Sequence, residues 1–185
     1  MWLGARRPLN PDLLERALAD RWRGPVALAL GEPGEGLAGW RFTHNQAKAA
    51  LPIALRAGES VTRYRDVALL ASAHCDALLS ASLRELYLAP LCAGQDDGAT
   101  MRETLRAYFA AERNLTSAAA ALGVSRRTVA NRLQTIEQRL GHSLGTKLAE
   151  IELALRLDEL KESRGRWAQV WKAPSRFGEA PAAPR

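Results

Sequence analysis

The sequence is poor in cysteine and aromatic residues and has no long apolar run, and each shortage removes a class of protein. Two cysteines in 185 residues, Cys75 and Cys92, cannot build the disulfide framework of a small secreted domain, and no histidine stands at metal-ligand spacing from them. Both are expected as buried thiols on helices, because a free cysteine behaves as a small hydrophobe. Aromatic residues make up 6% of the chain, whereas alanine and leucine dominate, which favours helices over an all-β fold. No apolar stretch approaches the ~20 residues that span a bilayer, and the N-terminus lacks a signal-peptide core. A cytoplasmic protein with no membrane partner is expected. His44, His74 and His142 are scattered, with no nucleophile–base arrangement and no carboxylate placed for metal binding, so no catalytic, cofactor or metal residue is assigned.

What is present is positive charge, unevenly spread. The net charge is +6, made of +2 over residues 1–24, −2 over 25–100, +4 over 101–140, −2 over 141–160 and +4 over 161–185. A basic central segment suits a polyanionic partner. At 47% apolar content the chain can bury one ordinary core or two small ones.

The N-terminal half mixes helix and strand signals. Asn10-Pro11-Asp12 caps a helix expected to reach about Trp22, and Val26–Leu30 has the length of a buried strand. The connector Gly31-Glu32-Pro33-Gly34-Glu35-Gly36 is not a phosphate loop, since it lacks a Lys-Ser/Thr ending and carries two glutamates that would repel phosphate. Thr43 and Gln46 form a capping box that opens a helix through Leu51 and Ala54, with a kink at Pro52 and a stop at Gly58. Ser60–Tyr64 reads as a second short strand. Asp66 then caps a helical stretch to about Ala89, broken near His74. The turn-forming Gly94–Gly98 separates the two halves, and Thr100 with Glu103 is a second capping box.

Residues 115–140, LTSAAAALGVSRRTVANRLQTIEQRL, carry the most specific pattern. A helix-turn-helix needs a small face on its first helix, a glycine at the turn and an apolar stripe that fixes the second helix. Ala118 and Ala119 supply the small face, Leu122 and Val124 flank Gly123, and Val129, Leu133, Ile136 and Leu140 recur on one side. Ser125 caps the second helix, whose remaining residues Arg126, Arg127, Thr128, Asn131, Arg132 and Gln134 suit base edges and phosphates. Ser125, Arg126, Arg127 and Asn131 are the leading groove residues; Arg132 and Arg139 are expected to meet phosphate or a nearby acid. The bland alternative is a helical hairpin with a solvated arginine face, but only Glu137 offsets four arginines between Gly123 and Leu140.

From about Leu86 to Leu160 the chain resembles the C-terminal DNA-binding region of PucR/CdaR-type transcriptional regulators, through TLRAYFAAERNLTSAAAALGVSRRTVANRLQTIEQRLG and the later IELALRLDEL. The resemblance implies that a leading helix ending near Phe109 packs on the motif, that the first motif helix starts after Asn114, and that the arginine-rich helix 125–140 enters the major groove. Many relatives carry Asn where this chain has Arg127 and an aromatic residue where it has Asn131. A second, weaker resemblance spans Val26 to Leu70, where VALALGEPGEGLAGWRFTHNQAKAAL and VTRYRDVALL look like the end of a degenerate GGDEF-like sensory domain. No diguanylate-cyclase motif accompanies it, so no cyclase activity is implied.

The expected fold is therefore mainly α: an incomplete α/β sensory remnant with connecting helices over 1–92, a helix-turn-helix domain over 95–162, and a basic, disordered tail over 163–185. A final helix with Leu148, Ile151, Ala154 and Leu155 on its apolar face, and Leu157 and Leu160 at the edge of it, either closes the helical domain or dimerises it. Expected partners are double-stranded DNA, a second copy or a higher oligomer, and an effector that the residues do not identify. The rival expectation is a truncated interaction module that pairs with full-length relatives without binding DNA.

Overall fold

The computed structural model describes residues 27–57, 61–92 and 98–162, with Asn10, Asp12, Leu13 and Arg16. Most of the first expected helix, Val26, the turn 93–97 and the tail from 163 lie outside them. The described residues are mainly helical, with one two-stranded sheet. Strand β1 (Leu28–Leu30) pairs in parallel with β2 (Val61–Arg63), Ala29 lying opposite Thr62. A parallel pair needs a long crossover, and helix α1 (Gly36–Ala57) provides it.

Three capping expectations fail, each because the helix begins earlier in the chain than its expected cap. Helix α1 begins at Gly36, not after Thr43. Thr43 instead donates its hydroxyl to the Glu32 carbonyl, and the Gln46 side chain accepts the Glu32 amide at 2.8 Å. Those side chains hold the glycine-rich connector against the helix that they were expected to start. Arg65 adds to this anchor by pairing with Glu32, which holds the Glu32 carboxyl below the usual carboxylate range. Helix α2 (Tyr64–Cys75) begins directly after β2, with Arg63 at its N-cap, so Asp66 lies inside the first turn. There its negative charge still favours the helix N-terminus. The break expected near His74 falls at Asp76, whose side chain accepts the Leu79 amide and caps helix α3 (Ala77–Tyr87); α2 and α3 bend by 94° across it. The Cys75 thiol at this elbow is exposed and Cys92 is half-buried, contrary to the expectation of two buried thiols, because each sits at the end of its element.

A short 3₁₀ turn (Ala89–Cys92) closes this half, and α4 (Ala99–Ala110) opens the next. Gly98, in the left-handed conformation at φ 73°, occupies the N-cap of α4, which displaces the expected Thr100–Glu103 box into the helix. Helices α5 (Leu115–Leu122), α6 (Arg126–Leu140) and α7 (Leu148–Glu162) follow.

Helix α7 is the centre of the molecule. Ile151, Leu153, Ala154, Leu155, Leu157 and Leu160 are all buried, on more than one side, because α7 packs against α1, α2, α3 and α4. A helix that is apolar around most of its girth belongs inside a protein, and each buried Leu or Ile contributes about 1.5–3 kcal/mol. The buried core is one cluster running from Ala50 and Ile53 through Leu91 and Leu105 to Ile136 and Ile151. On the α4 side, Arg106 meets Asp158 at 3.3 Å, Glu159 at 2.9 Å and Glu162 at 3.4 Å. Among the described residues no single helix is long and apolar enough to cross a membrane.

Candidate nucleic-acid interface

The two helices at the distal end are set by caps. Asn114 accepts the amides of Thr116 and Ser117 at 2.9 and 3.2 Å and starts α5. Ala118 and Ala119 are buried on its inner side, small enough for the second helix to cross closely. Gly123 ends α5 at φ 66°, and its amide turns back to the Ala119 and Ala120 carbonyls. Only glycine enters this region without cost. Ser125 then accepts the Thr128 amide at 3.0 Å and starts α6.

Gly98 and Gly123 are both left-handed, but their surroundings differ. A Cβ on Gly123 would meet no atom within 4 Å, whereas one on Gly98 would stand 2.8 Å from the Leu91 carbonyl oxygen. Gly123→Ala is therefore expected to cost about 1–2 kcal/mol, the left-handed strain alone, and Gly98→Ala clearly more. Urea unfolding of the two variants checks this order.

On α6 the side chains divide cleanly. Val129, Leu133 and Ile136 are buried against α4 and α5. Arg127, Asn131 and Gln134 are exposed, at helical spacing on the opposite side. Gln138, one turn beyond Gln134, is exposed on the same line; it was not among the expected residues, although the i+4 spacing marks it. Arg126 is exposed in the first turn. Ser125 and Thr128 bond each other, their hydroxyls 2.8 Å apart, so both shape the helix start.

The other two arginines turn toward the protein, and among the described residues neither pairs with an acid. Arg132 donates to the Thr104 hydroxyl on α4 at 3.3 Å, and Arg139 donates to the Leu91 carbonyl at 2.7 Å. The latter bond ties the end of α6 to the 3₁₀ turn of the N-terminal half. Glu137, the one acid of α6, accepts the Leu144 amide at 2.8 Å and the Ser143 hydroxyl at 3.2 Å. It is thereby committed to the turn after α6 and leaves the outer arginines unneutralised. His142 stands edge-on to Tyr87, ring centroids 6.1 Å apart, adding a second tie between the halves.

Glu112 and Arg113, between α4 and α5, both have positive φ, 50° and 68°. Neither position is a glycine or an asparagine, and the exposed Arg113 lines a shallow cleft of about 390 Å³ with Tyr108, Gln134 and Ser143. Among the described residues no group of three or more His, Cys, Asp or Glu side chains could hold a metal ion.

Two capped helices crossing over a small-residue face, joined by a left-handed glycine, with a basic and amide-bearing outer side on the second, define a helix-turn-helix. Residues 101–157, from α4 into α7, match the family of PucR C-terminal helix-turn-helix domains. That match begins beyond β1, α1 and β2, and so does not include the segment 26–70. No curated protein and no solved structure matches the chain.

Proposed function

We propose that this chain is a sequence-specific DNA-binding transcriptional regulator, with α6 lying in the major groove of double-stranded DNA. The observation that carries the reading is the exposed line of Arg127, Asn131 and Gln134, with Arg126 at its head, directly opposite the buried stripe of a helix-turn-helix. Arginine bonds guanine O6 and N7 in a fork, and Asn or Gln does the same to adenine N6 and N7. Ser125 and Thr128 fix the helix start, and Arg132 supports α6 from behind. Two copies on two half-sites about one helical turn, ~34 Å, apart would supply the affinity that a single helix lacks. Residues 26–70 serve as the remnant of a GGDEF-like sensory domain, in keeping with their β1–α1–β2 order, in a cytoplasmic protein without enzymatic activity.

Fluorescence anisotropy tests this with the full chain, titrated against random duplex DNA and against the duplex upstream of its own coding sequence. Tighter binding to the upstream duplex is expected, weakening as salt rises by about 0.9 in log–log slope for each phosphate contacted. Absence of binding to either duplex at low salt would favour the interaction-module reading instead.

A further inference from the structure

Two surfaces far from α6 in sequence are apolar and of opposite charge. Helix α1 contains Arg41, Lys48 and Arg56 and no acid. Leu37, Trp40, Arg41, Lys48, Leu51 and Leu55 are exposed along one side of it, away from the buried Gln46, Ala50, Ile53 and Ala54. On the α2–α3 elbow, Leu69, Leu78, Leu79 and Leu86 are exposed beside the acids Asp66, Asp76 and Glu85. Of the two arginines there, the exposed Arg65 is already bound to Glu32 through both carboxylate oxygens, at 2.9 and 2.5 Å, and Arg84 is half-buried. One face is thus basic and apolar, the other acidic and apolar.

The eight apolar side chains are between 41% and 78% exposed. Together they leave apolar area on the order of the ~800 Å² that each partner buries in an interface of standard size. Exposed apolar surface of that extent is unusual on a protein that stays alone. Pairing α1 with the α1 of another copy would set Arg41 and Lys48 against like charges, whereas the elbow offers three carboxylates. An anionic membrane would satisfy α1 and leave the acidic, apolar elbow in water.

We propose that the two faces bind one another between two copies of this chain, α1 of one seating on the α2–α3 elbow of the other. Made reciprocally about a two-fold axis, the contact occurs twice and closes at two chains. The proposal deepens the reading of a regulator with two half-sites by naming the surface that joins its copies, and leaves α6 free.

Sedimentation velocity of the full chain without DNA, over a wide concentration range, reads the association directly. Reversible dimerisation is expected, weakened about tenfold or more by Lys48→Glu and likewise by Glu85→Lys, and recovered when both reversals are combined. Both sites are exposed, and thermal melts confirm that the variants fold; Leu78→Ser supplies an uncharged second test with the same expected loss. A chain that stays monomeric throughout, an association indifferent to the single reversals, or a double reversal without recovery would overturn the proposal. So would binding of α1 to phosphatidylserine vesicles, abolished by Lys48→Glu, in a chain that does not self-associate. Anisotropy with a short single-site duplex separates this from the DNA reading: the reversals leave that affinity unchanged, and its absence in a chain that dimerises counts against α6 alone.

Discussion

Replacing Arg126 and Arg127 together by alanine is expected to weaken binding to the specific duplex by roughly thirtyfold or more, at ~1–3 kcal/mol for each base-reading arginine, without unfolding the protein. Both side chains are exposed, and neither enters the buried stripe of Val129, Leu133 and Ile136. Removing two positive charges from the first turn of α6 even relieves an unfavourable interaction with the helix dipole, so the thermal midpoint should hold or rise slightly. The salt dependence tells the two modes of contact apart. If the arginines read bases, the double variant loses discrimination between the upstream and random duplexes. If they sit on phosphates, binding falls about equally for both and the salt slope drops by about one for each arginine. Unaltered affinity in a folded double variant would remove both residues from the interface.

Ile136→Ala should act in the opposite way, on stability first. Ile136 is fully buried, and deleting three carbons from such a site costs about 2–5 kcal/mol, depending on how far the cavity closes. For a chain of this size that is a fall in melting temperature of about 5–15 °C. Because Ile136 and Ile53 belong to one buried cluster, the whole transition should shift, with one calorimetric peak. Two separate peaks, one of them at the parent temperature, would show that the halves unfold independently.

The helix-turn-helix was legible because its signals are local. Asn114, Gly123 and Ser125 act within four residues of themselves, and α6 buries one side only, so its stripe shows in the spacing. The capping boxes misled for a related reason. Thr43 and Gln46 do make the hydrogen bonds that such a pair offers, but to Glu32, eleven and fourteen residues earlier, and composition cannot say which backbone group will accept them. Helix α7 was expected to show one apolar face with Leu157 and Leu160 at its edge; Leu153 is buried as well, because elements from the N-terminal half of the chain cover the other sides. The same distance hides the role of Arg139, whose partner carbonyl lies 48 residues away, so it was counted among the phosphate or acid contacts. Glu112 and Arg113 carry no glycine to mark their left-handed turn, which is closed by main-chain bonds from their amides to the Phe109 and Tyr108 carbonyls, and backbone groups have no signature in the sequence.

The continuity of that core has a thermodynamic corollary. Amide protons around Ala50 and Ile53, buried on α1 as members of the same cluster as Ile136, are expected to exchange with solvent when the shared core opens. A duplex held by the folded state raises the free energy of that opening by RT ln(1 + [DNA]/Kd) wherever in the molecule it is measured. Occupancy of a groove by α6 would therefore be written as slowed deuterium uptake in α1, a helix some seventy residues or more earlier in the chain.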